Sequence, residues 1–224
     1  MRVVLSWSSG KDCAWALRAL RQDPTTEVVG LLTTFNQAAD RVAMHAVRRG
    51  LVRAQAQAAG LPLIEVELPW PCSNEAYEST MRDAVERIRE GGAEGMAFGD
   101  LFLEDVRRYR EQRLEGTGLQ PLFPLWGQPT AELARTMVAE GLQAYVTCVD
   151  PGQLSARHAG LAFDESFLDA LPESVDPCGE RGEFHTFAWS GPMFSAPVPV
   201  RTGAVVTRDG FVFADLTPAE SGPA

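Results

Sequence analysis

Short unbroken apolar runs alternate, along the first half of the chain, with longer segments in which apolar residues recur every three or four positions. Val3, Val4 and Leu5 form the first run, Val28-Val29-Gly30-Leu31-Leu32-Thr33-Thr34-Phe35 the second, residues 63–68 the third and Gly95-Met96-Ala97-Phe98-Gly99-Asp100 the fourth. Continuous apolar runs of this length read as strands covered on both faces. Between them, helical spacing joins Ala14, Leu17 and Leu20; then Val42, Ala43, Ala46, Val47 and Leu51; then Tyr77, Met81, Val85 and Ile88. Asn74 is placed to cap the third of these helices, while Gly60 and Gly91-Gly92 end the second and third. A charged helix is predicted over residues 103–113. Strict alternation of strand and helix predicts an α/β fold with a parallel sheet and right-handed crossovers.

After Gly116-Thr117-Gly118 the pattern changes. The stretch Pro121-Leu122-Phe123-Pro124-Leu125-Trp126-Gly127-Gln128-Pro129 marks a boundary, giving domains at residues 1–120 and 121–224. Beyond it, Thr130 caps a helix over residues 131–140, residues 144–149 form a strand, and Asp164 caps a short helix with Phe167, Leu168 and Leu171 inward. The end reads as antiparallel strands turning at Arg208-Asp209-Gly210, followed by a fraying Pro/Gly/Ser-rich tail after Thr217. The second domain is therefore expected to be the smaller one, of α+β type.

With 224 residues, 45% of them hydrophobic, the chain can bury a substantial core. It contains no signal-peptide pattern and no apolar stretch near membrane-spanning length, so a soluble cytoplasmic protein is expected, with no membrane partner. Cys13, Cys72, Cys148 and Cys178 are scattered without a CxxC pair, which disfavours a zinc ribbon or a disulfide framework. A net charge of -10 disfavours nucleic acid as the main partner.

Chemistry concentrates first at Ser6-Trp7-Ser8-Ser9-Gly10-Lys11-Asp12-Cys13, where the first strand passes through a tight loop into a helix. Unpaired N–H groups at the helix start, the Ser8 and Ser9 hydroxyls and the helix dipole make an anion site suited to phosphate. Lys11 is the lone lysine beside nineteen arginines, which points to a use for a compact ammonium. In a parallel sheet the strand ends share one crevice, so Thr33, Thr34 and Phe35 after the second strand are placed to grip a base, and Asp100 after the fourth joins them. Asp100, Glu104 and Asp105 could together hold magnesium or a substrate amine; Glu104 and Asp105 could equally serve the helix dipole. A second loaded stretch, Asp176-Pro177-Cys178-Gly179-Glu180-Arg181-Gly182-Glu183-Phe184-His185-Thr186-Phe187, clusters acid, base and metal-capable groups in a loop.

The first loop resembles the SGGKDS loop of the PP-loop ATP pyrophosphatases, with Ser9 at a glycine position and Cys13 at the final serine, a weaker donor. That loop, Gly99-Asp100 with Glu104, Asp105, Arg107 and Arg108, Pro124-Leu125-Trp126-Gly127 and above all the 176–187 stretch resemble the diphthine-ammonia ligase family over nearly the whole chain. The resemblance implies a HUP-like nucleotide-binding domain (adenine nucleotide alpha hydrolase-like) and a smaller C-terminal domain that binds substrate. It implies a carbon-nitrogen ligase that adenylates a carboxylate with ATP, releases pyrophosphate and transfers ammonia, with magnesium as cofactor. Ser6, Ser8, Ser9, Gly10, Lys11, Asp12, Cys13, Thr33, Thr34 and Phe35 would bind ATP; Lys11, Asp100, Glu183 and His185 would be catalytic, with Asp100 on magnesium. Glu104, Asp105, Arg108, Cys178, Glu180, Glu183 and His185 would bind substrate.

The resemblance implies an acceptor that is a small molecule or a modified protein side chain; the Ala/Arg-rich composition points to a GC-rich, bacterial genome, and the bacterial relatives of the resembled family imply a cobalamin-related acceptor. A second copy of the chain is a further candidate partner. A non-catalytic ATP or AMP sensor, kept open by Cys13, and a PP-loop tRNA thiolase, disfavoured by the missing CxxC, are the alternatives. On this reading Lys11→Ala abolishes turnover with the fold intact, and Glu183→Ala removes acceptor-dependent turnover while sparing ATP binding.

Overall fold

The computed structural model describes residues 1–42 and 47–219. Its first half is a six-stranded sheet built from β1 (Arg2–Ser6), β2 (Glu27–Asn36), β3 (Arg41–Val42), β4 (Leu63–Leu68), β5 (Gly95–Ala97) and β6 (Gln120–Leu122). Helices α1 (Lys11–Gln22), α2 (Arg49–Ala59), α3 (Asn74–Glu90) and α4 (Glu104–Leu114) connect them. β1 pairs in parallel with β2 on one side and β5 on the other; β4 extends the sheet from β2 and β6 from β5, also in parallel. The chain thus leaves β1 in both directions across the sheet, which makes the carboxyl end of β1 the switch point where such sheets bind ligands.

Alternation along each strand decides which core a side chain joins. Val3, Leu5, Leu31 and Ala97 face α1 and α2, packing on Ala14, Leu17, Leu51 and Val52. Val4, Leu32, Val66 and Met96 face the other way, onto Ala84, Val85 and Ile88 of α3. The first core continues into a second, antiparallel sheet of β7 (Gln143–Val149), β8 (Phe184–Ser190), β9 (Val200–Arg208) and β10 (Phe211–Pro218), ordered β8-β7-β10-β9. α1 lies between the two sheets and buries residues around most of its circumference. Helices α5 (Thr130–Ala139) and α6 (Glu165–Asp169) complete the second half. At the β9–β10 hairpin, Asp209 and Gly210 take φ of 49° and 85°, the paired left-handed conformation of a type I′ turn.

Several expected boundaries move. Val42 belongs to β3 rather than to the following helix, Ala43 and Ala46 lie outside the described residues, and α2 starts at Arg49, because Arg48 is extended (φ -64°, ψ 137°). Ser73, not Asn74, caps α3, its side chain accepting from the Ala76 N–H at 3.1 Å. Thr130 is the first helical residue of α5, following Pro129, and its hydroxyl is turned to Asp176. Pro121 and Leu122 of the proline-rich boundary belong to β6, where Pro121 is tolerated because β6 is an edge strand. Of the tail expected to fray after Thr217, β10 holds Pro218, and residues 220–224 lie outside the described residues. Among the described residues, no helix is long and apolar enough to cross a membrane.

Candidate active site

The loop between β1 and α1 is clamped from three sides. Trp7 N–H donates to the Leu32 carbonyl at 2.7 Å, and the Thr33 hydroxyl donates to the Trp7 carbonyl at 2.7 Å. From α2, the fully buried Gln55 accepts from the Trp7 indole N–H at 2.9 Å and donates to the carbonyls of Ser9, at 3.0 Å, and Ala188. From β8, Ala188 N–H donates to the Ser9 carbonyl at 3.0 Å and the Thr186 hydroxyl oxygen accepts from Lys11 N–H at 3.0 Å. Ser9 is held at φ 73°, where glycine sits freely and serine costs about 1–2 kcal/mol. The clamp supplies what the missing glycine would have made free. Gly10 gives α1 no side-chain cap of its own, and the Thr186 hydroxyl takes the Lys11 N–H in its place. Cys13 donates its thiol to the Gly10 carbonyl at 3.1 Å, and burial pushes its pKa up to about 11, so it remains a neutral thiol.

Lys11 turns away from solvent. Its Nζ donates to the Asp12 carboxylate at 2.8 and 2.9 Å and to the Cys178 carbonyl, between the rings of Phe163 and Phe184 at 5.6 and 5.5 Å. Burial pulls its pKa down, but the charge and hydrogen bond of Asp12 outweigh this and hold it above the usual lysine value. The ammonium is therefore spent on joining the first loop to the second.

The second loop, residues 176–183, is held by two buried carboxylates. Asp176 accepts from the N–H groups of Cys178 at 3.2 Å and Glu180 at 3.0 Å, and from the Thr130 hydroxyl. Glu183, 1% exposed, accepts from the N–H groups of Asp176 at 2.8 Å and Arg181 at 2.9 Å. Gly179, at φ 68°, lies where a Cβ would stand 2.8 Å from the Phe184 carbonyl oxygen, so only glycine fits. Both ends of the loop are thus tied into its own backbone.

Two adjoining cavities open at the carboxyl ends of the strands. The larger, about 580 Å³, is lined by Leu32 and Thr34 of β2, Tyr77 and Met81 of α3, Met96 of β5 and Phe98 after it. The smaller, about 230 Å³, is lined by Ser8, Gly10, Lys11, Asp12 and Cys13 on one side and by Asp100, Cys178, Glu180 and His185 on the other. Ser6, Ser8, Phe98 and Arg110 border both. Gly99 makes the approach of Asp100 possible, since a Cβ there would come within 3.0 Å of the Asp12 and Cys13 backbone. Burial raises the Asp100 pKa. Glu180 accepts from Leu101 N–H at 2.7 Å; burial, helped by Asp12 and Asp100, pushes its pKa up to about 7. Burial and the Lys11 charge push His185 down to about 4, leaving a neutral imidazole.

Other expected residues fall elsewhere. Thr34 lines the larger cavity, whereas the buried Thr33 serves the Trp7 carbonyl and Phe35 packs beneath the Arg49 guanidinium at 4.3 Å. Glu104 and Asp105 are exposed in the first turn of α4, placed for its dipole rather than for either cavity. Arg108 borders a separate depression of about 750 Å³ beside β6, because it points about 200° around α4 from Arg110. Glu183 lines neither cavity and acts on its own loop. The sequence reading overlooked Gln55, Asp176, Thr186 and Arg110; the motif stretch contained Asp176 and Thr186, but only tertiary contact reveals what they hold.

The described residues contain no cluster of three or more His, Cys, Asp or Glu spaced to hold a metal ion. Asp100 Oδ2 is nonetheless buried at the cavity wall with no well-made hydrogen bond, its charged neighbour being the Arg110 guanidinium at 3.5 Å. One such oxygen fits magnesium, which takes one or two carboxylates and completes its shell with water and substrate phosphates.

The N-terminal domain model of diphthamide synthase matches residues 1–121, and the C-terminal domain model matches residues 129–211. A diphthine-ammonia ligase of Danio rerio is 30% identical over 237 aligned residues, covering 96% of this chain and 92% of that protein. Those of Homo sapiens and Bos taurus are 32% identical over 129 residues, 55% of this chain and 48% of each, so the chain matches about half of their length. Two domain models matched in order, and a relative aligned over nearly its whole length, establish that the chain belongs to the diphthamide synthase family.

Proposed function

We propose that the chain is an ATP-dependent ligase that joins ammonia to a carboxylate, with release of AMP and pyrophosphate. The observation that carries this reading is the junction of the two cavities: an apolar slot sized for a nucleoside opens beside a polar chamber formed by the anion-binding loop and the 176–183 loop. The relatives named diphthine-ammonia ligases support it. The nucleoside would occupy the slot with Leu32, Thr34, Met96 and Phe98, and the phosphates would lie on Ser8, Gly10 and the first N–H groups of α1. Asp100 would hold magnesium, which offsets phosphate charge.

In the first step an acceptor carboxylate oxygen bonds to the α-phosphorus as the bond from that phosphorus to the bridging oxygen breaks, and pyrophosphate leaves. Ammonia's nitrogen then bonds to the acyl carbon as AMP departs, and the surplus proton on nitrogen passes to Glu180. The 176–183 loop sets the acceptor side, with Cys178, Glu180 and His185 on the cavity wall and Asp176 and Glu183 holding them in place. The neutral His185 imidazole can bond to the acceptor without adding charge.

Labelled ATP separates the readings: incubation with α-labelled ATP, magnesium and ammonium, with and without a metabolite extract, is expected to yield AMP and pyrophosphate in proportion to acceptor. ADP as the product would overturn the reaction class. Glu180 accepts a proton only when ionised, so turnover at saturating ammonia is expected to rise with pH through about 7. Glu180→Gln removes that inflection and lowers kcat by about 10²–10⁴; an unchanged profile would assign the proton to another group.

A further inference from the structure

Cations at the smaller cavity are few. Among the described residues lining it, Lys11 and Arg110 carry positive charge and Asp12, Asp100 and Glu180 are acidic. Lys11 is consumed by Asp12 and the Cys178 carbonyl. His185, pushed down to about 4, adds no charge at neutral pH. Arg110 differs from both. Its Nε is buried and forms an ion pair with Asp100 Oδ2 at 3.5 Å, a contact too long for a well-made hydrogen bond. Its guanidinium rests on the Phe98 ring at 4.9 Å, and Phe98, like Arg110, borders both cavities. Tyr77 of α3, which also lines the slot, interacts with it directly.

The neighbouring arginines on the same face of α4 are otherwise engaged. Arg107 pairs with Glu111 at 2.8 Å and lies over Phe123 and Trp126, and Arg113 pairs with Glu78. The loose Arg110–Asp100 ion pair, set at the boundary of an apolar slot and an acidic chamber, leaves the Nε–H without a well-made hydrogen bond and able to take an anionic oxygen. A buried donor left unpaired is costly, and a bound phosphate oxygen removes that cost.

We propose that Arg110 is a phosphate-contacting residue of this site, its guanidinium meeting the nucleotide's phosphate chain where the slot joins the chamber, beside the Asp100 carboxylate. The proposal deepens the reading of the paired cavities as a nucleotide site and rests on it. Its charge is positioned by Phe98 and Asp100 before ligand arrives, so it stabilises negative charge that grows on the departing pyrophosphate without reorganisation.

The test is calorimetric titration of wild-type protein, Arg110→Gln and Arg110→Lys with adenosine, AMP and α,β-methylene ATP, which cannot be cleaved at the scissile position, in magnesium buffer of fixed ionic strength. Arg110→Gln is expected to weaken α,β-methylene ATP by about tenfold to a hundredfold, with Arg110→Lys between it and wild type and adenosine affinity unchanged in all three. Retained adenosine binding also shows that the slot is folded. Equal loss of adenosine and the triphosphate analogue in Arg110→Gln would make Arg110 a structural residue of the slot and overturn the proposal, as would unchanged affinity for the analogue. Wild-type protein that binds neither adenosine nor the analogue would overturn the nucleotide-site reading itself, and the role of Arg110 with it.

Discussion

Lys11→Ala is expected to destabilise the protein by about 3 kcal/mol, the low end of the cost of stripping one partner from a buried ion pair, because Asp12 is 27% exposed. Lys11 is 2% exposed, and its ammonium is shared between Asp12 and the Cys178 carbonyl. Alanine leaves the Asp12 carboxylate beside an acidic cavity with no counter-charge, leaves the carbonyl without a donor and opens space between Phe163 and Phe184. The loss falls on the fold before it falls on catalysis, contrary to what the loop motif alone suggests. Chemical denaturation reads it as a lower midpoint. Lys11→Ala combined with Asp12→Ala is expected to recover part of the loss, because it removes the stranded charge. An unchanged midpoint with abolished turnover would return Lys11 to a purely chemical role.

Glu183→Ala is expected to cost a similar amount, about 3–5 kcal/mol, since two charge-assisted hydrogen bonds inside the protein disappear and two backbone N–H groups are stranded. Those groups belong to Asp176 and Arg181, so the loop that carries Cys178 and Glu180 to the cavity is released at both ends. Turnover is expected to fall with stability, and hydrogen exchange at the Arg181 amide to accelerate. Glu183→Gln keeps one acceptor oxygen but sets an NH₂ group against an N–H donor, so it is expected to lose about half as much. Loss of acceptor-dependent turnover at full stability and unchanged exchange would instead place Glu183 in contact with substrate.

The fold was legible where the signal is local. Apolar runs and helical spacing specify strands and helices through periodicity alone, and the Asp209-Gly210 turn declares itself by residues that tolerate positive φ. The same locality explains the loop at residues 6–13, in which strand, glycine and helix start are contiguous. What could not be read depends on contacts between distant segments. Gln55 looks like any polar residue of an amphipathic helix until Trp7, Ser9 and Ala188 close around its amide. Glu183 has the composition of a catalytic acid, and only its burial and its two N–H donors show that it braces a loop. Arg108 and Arg110 differ in helical phase: in a segment with four arginines, composition marks the helix but not which face meets the cavity. Edge strand β6, three residues long and containing Pro121, carries too little pattern to separate from a linker.

The most direct test of the central claim, that the slot and the chamber form one nucleotide site, is a crystal structure of the protein with α,β-methylene ATP and magnesium. The account predicts the adenosine between Leu32, Tyr77, Met96 and Phe98, with the triphosphate on the N–H groups at the start of α1 and within reach of Arg110 and Asp100. A nucleotide seated instead in the depression beside Arg108 and β6, or with its phosphates directed away from the 8–13 loop, would contradict it.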